Sequence, residues 1–402
     1  MTTDSPDSRV ADGRGNSNDR VRRHNLSVVL CLAHRSRGIS RSALTRQTGL
    51  NRSTIAALVG ELVERQLLIE VEPDASNRVG RPSPIALPAP RAVVFAVNPE
   101  VDAITVGLVG LGGTVLGRIR RSTDGTPSVG SAVAIAAESI AELRARFEPE
   151  HVVLGIGVAI PGLVRARDGV VRLAPHLGWV DEPFSRELEN ATGLSVHAAN
   201  DAHLGGIAEN VFGAGRGVGD LVFLNGGASG IGSGIISGGR FVDGVEGYAG
   251  ELGHTLVNSS GVTCHCGAIG CLETEVQQRR LLSLAHLANA DSDELEAALI
   301  DSMSPEIRRE VERQLDFLAV ALRNAINTLN PRMIVLGGFL SPLYAVGKDY
   351  LDALIATPGL VAPRESVTIV RSELGVNRLM IGAAELAFEG VLDDPASFAP
   401  LR

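Results

Sequence analysis

The chain has 402 residues, a formal charge of −9, 45% hydrophobic and 21% charged residues. That length exceeds one compact core, so two or three domains are expected. No apolar run approaches the ~18 residues of a membrane span, and the opening MTTDSPDSRVADGRGNSNDR lacks the apolar segment of a signal peptide. The expected compartment is the cytoplasm, with no membrane partner. Thiols stay reduced there, and clustered cysteines point to metal more than to disulfide.

Charge is unevenly spread. Residues 1–91 hold 14 Arg against 9 acidic residues, and the stretch from Arg20 to Arg65 carries nine Arg against Glu61 and Glu64. A basic end on an acidic body suggests contact with a polyanion, although a solvated basic helix face would give the same count. Residues 1–19 read as a disordered tail. NLSVVLCLAHR (25–35) places Leu26, Val29, Leu30 and Ala33 on one helical stripe. Cys31, apart from the other cysteines, falls on the same buried side and reads as a packing residue. SRSALTRQTGL offers Ser40 as N-cap and Gly49 as stop. Asn51 then caps RSTIAALVGELVERQLL, with Ile55, Leu58, Val59, Leu62 and Val63 as its apolar stripe.

Two helices joined by a tight glycine turn fit a major-groove reader. Arg41 opens the first of them, and the second presents Arg52, Ser53 and Thr54 in its first turn, donors suited to phosphates and base edges. The next stretch, LLIEVEPDASNRVGRPSPIALP, has two apolar-rich segments about a polar turn, the shape of a β-wing. Its RVGRP places Arg78 and Arg81 around a glycine, an arm suited to a narrow minor groove. Residues 20–88 therefore read as a winged helix-turn-helix that binds double-stranded DNA. A helical dimerisation bundle with a Pro-rich linker is the plainer alternative.

From residue 92 the texture changes. RAVVFAVNPEVDAITVGLVGLGGTVLGRIRRS reads as three strands with tight turns, and DLVFLNGGASGIGSGIISGGRFVDG (220–244) repeats that texture. Two such halves closing on a cleft make an α/β, actin-like or ribonuclease H-like body of the sugar-kinase type. The first lobe is expected over 92–205, completed by a C-terminal helix at 376–392. The second is expected over 206–375. Polar groups emerge from apolar strands at APHLGW (174–179), VHAANDAHLGG (196–206) and GYAGELGH (247–254).

Most specific is GELGH, followed after nine residues by CHCGAIGCLE. This pattern resembles the ROK family, named for repressors, open reading frames and kinases, and the likeness extends from about residue 20 to 390. The N-terminal helix-turn-helix followed by GRP resembles the xylose-repressor branch of the family, whose kinases usually lack such a module.

The resemblance implies one structural zinc held by His254, Cys264, Cys266 and Cys271. A Cys₃His set is closed and leaves no open position for an activated water. It also implies a sugar site formed by Asn200, Asp201, Glu251, His254 and Glu273, groups suited to hydroxyl recognition. Asp201 matches the general base of the family's kinases, and His254 would serve both zinc and sugar. His176 stands in PHL where those kinases often have PNL.

The expected phosphate loop departs from the family pattern. Where the kinases have a DxGGT-like stretch, this chain has Asn98-Pro99-Glu100, which removes a donor and places a negative charge where phosphates would sit. The later GASGIGSG (227–234) survives, although a hairpin turn would need its glycines anyway. The reading is a sugar-responsive regulator, a repressor acting as a homo-oligomer on an operator and not an enzyme. Its coupling is expected to run through a linker near residues 82–92. An ATP-dependent sugar kinase with an added DNA-binding domain is the alternative.

Overall fold

Residues 15–72, 83–147, 151–288, 290–356 and 361–398 are described by a computed structural model. The first helix, α1 (Gly15–Ser36), buries Leu26, Val29, Leu30 and Ala33 completely. It begins inside the expected disordered tail, so that expectation fails for residues 15–19. The reason is local: Asp19 lies 3.9 Å from Arg22 and 3.4 Å from Arg23, pairs at i,i+3 and i,i+4 that favour helix.

β1 (Ile39–Ser40) leads into α2 (Arg41–Thr48), where the Ser40 hydroxyl accepts from the Ala43 N–H and Gly49 stops the helix at φ 72°. α3 (Arg52–Glu64) is capped by Asn51, whose Oδ1 accepts from the Thr54 N–H at 2.8 Å. This helix ends before the apolar run does. Gln66 takes φ 60°, and the chain turns into β2 (Leu68–Val71). β2 pairs antiparallel with β3 (Ile85–Pro88), which also pairs with β1. Three helices and this sheet make a winged-helix arrangement. Arg78 and Arg81, which fall between β2 and β3 in the sequence, lie outside the described residues.

Two larger sheets then repeat one topology. The first contains β4 (Ala92–Pro99), β5 (Ala103–Gly110), β6 (Thr114–Ser122), β7 (Val152–Ile160) and β11 (Val196–Asn200). α4 (Val129–Phe147), a small sheet of β8 (Leu163–Val164), β9 (Val171–Ala174) and β10 (Trp179–Glu182), and α5 (Phe184–Thr192) are inserted among them. α6 (Asp201–Phe212) crosses to the second sheet, made of β12 (Leu221–Gly227), β13 (Gly230–Ser237), β14 (Arg240–Phe241), β15 (Met333–Gly338) and β16 (Thr368–Arg371). The strand orders are β11-β7-β4-β5-β6 and β14-β13-β12-β15-β16. In both sheets the opening three strands are antiparallel, and the last two run parallel to the first. Ligands of such folds lie outside the carboxyl ends of the parallel strands.

The second sheet is covered by α7 (Leu272–Glu275), α8 (Gln278–Leu284), α9 (Ser292–Asp301), α10 (Pro305–Leu329), α11 (Leu340–Ala356) and α12 (Val361–Glu365). α13 (Arg378–Asp393) returns to the first sheet and buries Met380, Ala383, Ala384 and Phe388. Among the described residues, no helix is long and apolar enough to cross a membrane.

The join between the winged helix and the body differs from expectation. β3 ends at Pro88 and β4 begins at Ala92, while Ala86, Ala89 and Ala92 are 0%, 2% and 0% exposed. One apolar cluster runs from Leu26, Leu44, Ile55 and Leu62 to Val94, Ala383 and Phe388. Over its described residues 83–92, the segment expected to be a linker is strand and turn that buries Ala86, Ala89 and Ala92. The two units share a core, because α1 spends part of its apolar surface on α13.

Candidate functional site

Asn200 ends β11 and caps α6. Its Oδ1 accepts the His203 N–H at 3.0 Å, and its Nδ2 donates to Gly162 O at 3.0 Å. Asp201 opens α6, and its Oδ1 accepts the Ala202 N–H at 2.8 Å. Desolvation pushes the Asp201 carboxyl up to about 6, against the pull of the Ala202 amide and the Arg378 charge.

The second lobe supplies the facing groups. A 3-10 turn, Leu252–His254, sets His254 Nε2 4.0 Å from Glu251 Oε2 and His254 Nδ1 3.5 Å from Glu273 Oε1. Burial also raises Glu251; His254 opposes this, while Asp201 and Glu273 add to it. Two glycines of β13 permit the approach. A Cβ at Gly230 would lie 2.3 Å from Glu273 Oε2, and one at Gly232 would lie 2.5 Å from Ala202 Cβ. The GASGIGSG run thus does more than turn a hairpin: it seats Glu273 and the first turn of α6.

His176 sits exposed on the 3-10 turn Pro175–Leu177 of the first lobe. Its ring centroid is 6.1 Å from that of His265, which lies 5.2 Å from that of His254. His265 Nδ1 is 3.1 Å from Glu273 Oε1. His265 was absent from the sequence-derived candidates. Its position between two cysteines in CHC was the available signal. Carboxylates that accept and imidazoles that donate or accept, held on different elements, can fix the hydroxyls of a polar ligand. A separate cavity of about 1060 Å³ is lined by Cys31, Asn200, His203 and Glu389 but not by Asp201, Glu251, His254 or Glu273.

The cysteine loop has the geometry of a metal centre. The ligand atoms of His254, Cys264, Cys266 and Cys271 all lie within 4.8 Å of one another. Cys266 Sγ is 3.7 Å from Cys271 Sγ, and Cys264 Sγ is 3.7 Å from His254 Nδ1. A tetrahedral ion with sulfur at ~2.3 Å requires sulfur–sulfur edges of roughly 3.8 Å, so the residues fit zinc. A second set, His254, Cys264, His265 and Glu273, meets the same distance limit. The loop is braced by bridges between Leu256 and Cys271 and between Thr263 and Ile269. Cys31 is partly buried, its Sγ 3.8 Å from Leu392 O of α13.

The hairpin at Asn98-Pro99-Glu100 is closed by the Glu100 N–H donating to Ala103 O at 2.7 Å. Glu100 does not present a bare charge to the cleft, as the sequence suggested. It accepts from Thr105 Oγ1 at 2.6 Å and from Arg120 Nη2 at 3.0 Å. On the winged helix, Arg52 and Ser53 are exposed and Thr54 is partly buried. Arg41 is drawn into a bidentate pair with Glu70 of β2. Arg22 and Arg65 bond Glu61, Arg23 bonds Asp394, and Arg37 donates to Gly112 O. Five of the nine arginines between Arg20 and Arg65 therefore hold the protein itself together.

The ROK family model matches residues 96–389, most of the chain. The protein belongs to the ROK family. Among ROK relatives, the xylose repressor of Caldicellulosiruptor bescii is 26% identical over 376 residues, covering 89% of this chain and 93% of that protein. The DNA-binding transcriptional dual regulator NagC of Escherichia coli K12 is 29% identical over 393 residues, 93% of this chain and 95% of NagC. A solved ROK transcriptional regulator, a homologue of the E. coli MLC protein, superposes with a TM-score of 0.75 at 25% identity, over 93% of this chain and 98% of that one. The ROK hexokinase of Thermus thermophilus gives a TM-score of 0.61 at 27% identity, over 75% of this chain and 99% of that one. The ROK regulator thus spans the winged helix as well as the body, whereas the hexokinase spans three quarters of the chain.

Proposed function

We propose that this ROK protein is a sugar-responsive transcriptional repressor acting on DNA in the cytoplasm as a homo-oligomer. In this reading residues 20–88 form the DNA-binding unit, 92–205 with the C-terminal helix form the first lobe, and 206–375 form the second. The observation that carries it is the fusion of a winged helix to a polar interlobe cleft through one shared core. His34 of α1 is 1% exposed; its Nε2 lies 3.0 Å from both oxygens of Glu385 of α13, and its Nδ1 accepts the Gly112 N–H at 2.8 Å. Since Nδ1 accepts, Nε2 carries the proton and donates to Glu385. A body that shifts α13 therefore shifts α1.

In the cleft, Asp201, Glu251, His254 and Glu273 bind sugar hydroxyls, with Asn200 shaping the turn and His176 reaching over from the first lobe. Closure of the lobes on the sugar moves α6 against α13 and repositions the DNA-reading helices. One zinc on His254, Cys264, Cys266 and Cys271 holds the loop that presents His254 and Glu273. His254 would face zinc through Nδ1 and Glu251 through Nε2. Arg52, Ser53 and Thr54 face the major groove, and Arg78 and Arg81 face the minor groove. Arg41 braces the wing through Glu70 before it meets any phosphate.

Phosphoryl transfer is not part of this reading. Asn98 and Pro99 lie in strand β4, and Phe339, 2% exposed, packs on Gly226 where β12 and β15 end. The test is operator binding by the full chain with and without monosaccharides and amino sugars. A coupling of about 1–3 kcal/mol is expected, a change of some 5- to 150-fold in operator affinity. Unchanged operator affinity at saturation with a sugar shown to bind would refute the regulator. Sugar-dependent ATP hydrolysis that is abolished by Asp201→Asn would mark instead a sugar kinase carrying a DNA-binding unit.

A further inference from the structure

α6 reaches from the cleft to the winged helix. It starts at Asp201, and its cap Asn200 is tied to Gly162 O of the first lobe at 3.0 Å. Its twelve residues make a rod of about 18 Å. Two glycines let strands of the second lobe press against it. A Cβ at Gly205 would lie 2.8 Å from Phe223 Cε1 of β12, and one at Gly206 would lie 3.4 Å from Gly234 Cα of β13. In the last turn Glu209, 0% exposed, accepts N–H groups from Ala214, Glu373 and Leu374. The rod is thereby held to the second lobe along its length.

It ends at Phe212, which is buried. The ring centroid lies 5.2 Å from that of His34 of α1, with the planes at 66°. The Arg37 guanidinium carbon lies 5.0 Å from the same centroid, and Arg37 Nε donates to Gly112 O at 3.2 Å. The β5–β6 turn closes the third side. Gly113 stands there at φ 74°, and a Cβ on it would lie 2.6 Å from Phe212 Cε2. Phe212 therefore fills a slot built by α1 and the first lobe, although its own helix is packed on the second. Motion of one lobe against the other must shift the ring in that slot. Close-packed contacts of this kind have discrete arrangements, and a stiff helix carries a displacement from one end to the other.

We propose that α6 is the coupling rod between effector and operator, and that Phe212 is the positioning residue through which it acts on α1. This rests on the function proposed above and names how that regulator is switched. An effector that engages Asp201 draws on the start of α6. Phe212 then shifts against His34 and Arg37, and α1 carries the shift to α2 and α3, which share its core.

The experiment uses the full-length chain and the monosaccharide or amino sugar that binds it most tightly by calorimetric titration. Operator affinity is measured with and without that sugar at saturation for wild type, Phe212→Leu and Arg37→Asn. Leucine keeps the slot apolar but removes the ring. Arg37 stands at φ 55°, which asparagine tolerates. Both sites are remote from the pocket, so sugar affinity without DNA should stay within about twofold of wild type. The sugar-induced change in operator affinity, about 5- to 150-fold in wild type, should fall to about twofold or less in Phe212→Leu and part of the way in Arg37→Asn.

Linkage supplies a readout that structural damage alone would not move. Operator DNA should change sugar affinity by the same factor in wild type and leave it nearly unchanged in Phe212→Leu. Sugar should also alter the amide hydrogen exchange of α1 in wild type and not in that variant. A response of wild-type size in folded Phe212→Leu overturns the proposal and leaves the coupling to the His34–Glu385 contact. If Phe212→Leu does not fold, a full response in Arg37→Asn overturns it instead. If sugar binds the wild type without changing operator affinity, the regulator reading fails. The rod then stands only if sugar still alters exchange of α1 in wild type and not in a folded variant. If no sugar binds, both fall.

Discussion

The two lobes share a strand order and differ at the matching hairpin. In the first lobe the β4–β5 turn is sealed by side chains: Glu100 is held by Thr105 and Arg120, and the strand runs on to Pro99. In the second lobe the β12–β13 turn is nearly bare backbone, and its glycines admit Glu273 and the first turn of α6. The other faces differ too. The first lobe buries α1 of the winged helix against α13, whereas the second carries the cysteine loop. A duplicated fold has kept its topology in both copies while their surroundings differ: one packs the winged helix and the other carries the cysteine loop.

The largest effect should come from the second lobe. Cys266→Ser should take bound zinc from one per chain to none by atomic absorption and cost about 3 kcal/mol or more in urea unfolding. Retention of the metal would mean that the set containing His265 and Glu273 holds it instead. Next comes the docking side. His34→Ala leaves the Glu385 carboxylate and the Gly112 amide buried without a partner, at a cost of about 3–5 kcal/mol. A loss within ~1 kcal/mol, the range of surface changes, would show that the shared core does not depend on that contact.

Asp201→Asn should act in the opposite direction on stability. The folded state raises this carboxyl from 3.8 to about 6. Between those values the folded chain holds a proton that the unfolded chain releases, so wild-type stability falls as pH rises through the window. The asparagine variant should therefore melt higher at pH 7.5, by the equivalent of about 2–3 kcal/mol, and level with wild type at pH 3.5. A difference that does not change with pH would break this account. The smallest effect belongs to the sealed hairpin. Arg120 and Glu100 have side chains 44% and 30% exposed, so Arg120→Met should cost less than ~1 kcal/mol by thermal melting. A larger loss would mean that the turn depends on the ion pair.

Much of the winged helix was legible because its signals are local. Ser40, Gly49 and Asn51 act within four residues of their own positions, and the stripes of α1 and α3 are set by helical repeat. The repeated β-rich texture was readable for the same reason, since strand alternation and tight turns are short-range. The cysteine spacing in CHCGAIGC likewise marked a metal loop before any fold was known. Less legible was the fate of charges. Nine arginines looked available to a polyanion, and five of them bond within the protein. Glu100 looked like a free negative charge and is neutralised from a neighbouring strand. His265 carried as its signal only its place between two cysteines, and its neighbours in space give it meaning.

The sequence by itself determined both caps of α2, the start of α3, the inward stripes of α1 and α3, and the spacing of the cysteine loop. Each of those outcomes depends on groups within a few positions along the chain. Tertiary structure alone decided that the presumed linker packs into the shared core through Ala86 and Ala92, and that α1 rests on α13. His34 and Glu385 are separated by 351 positions and meet at 3.0 Å. Contacts of that kind depend on how whole layers pack, because desolvation and pairing are set by every element that closes over a group, and no local pattern encodes them.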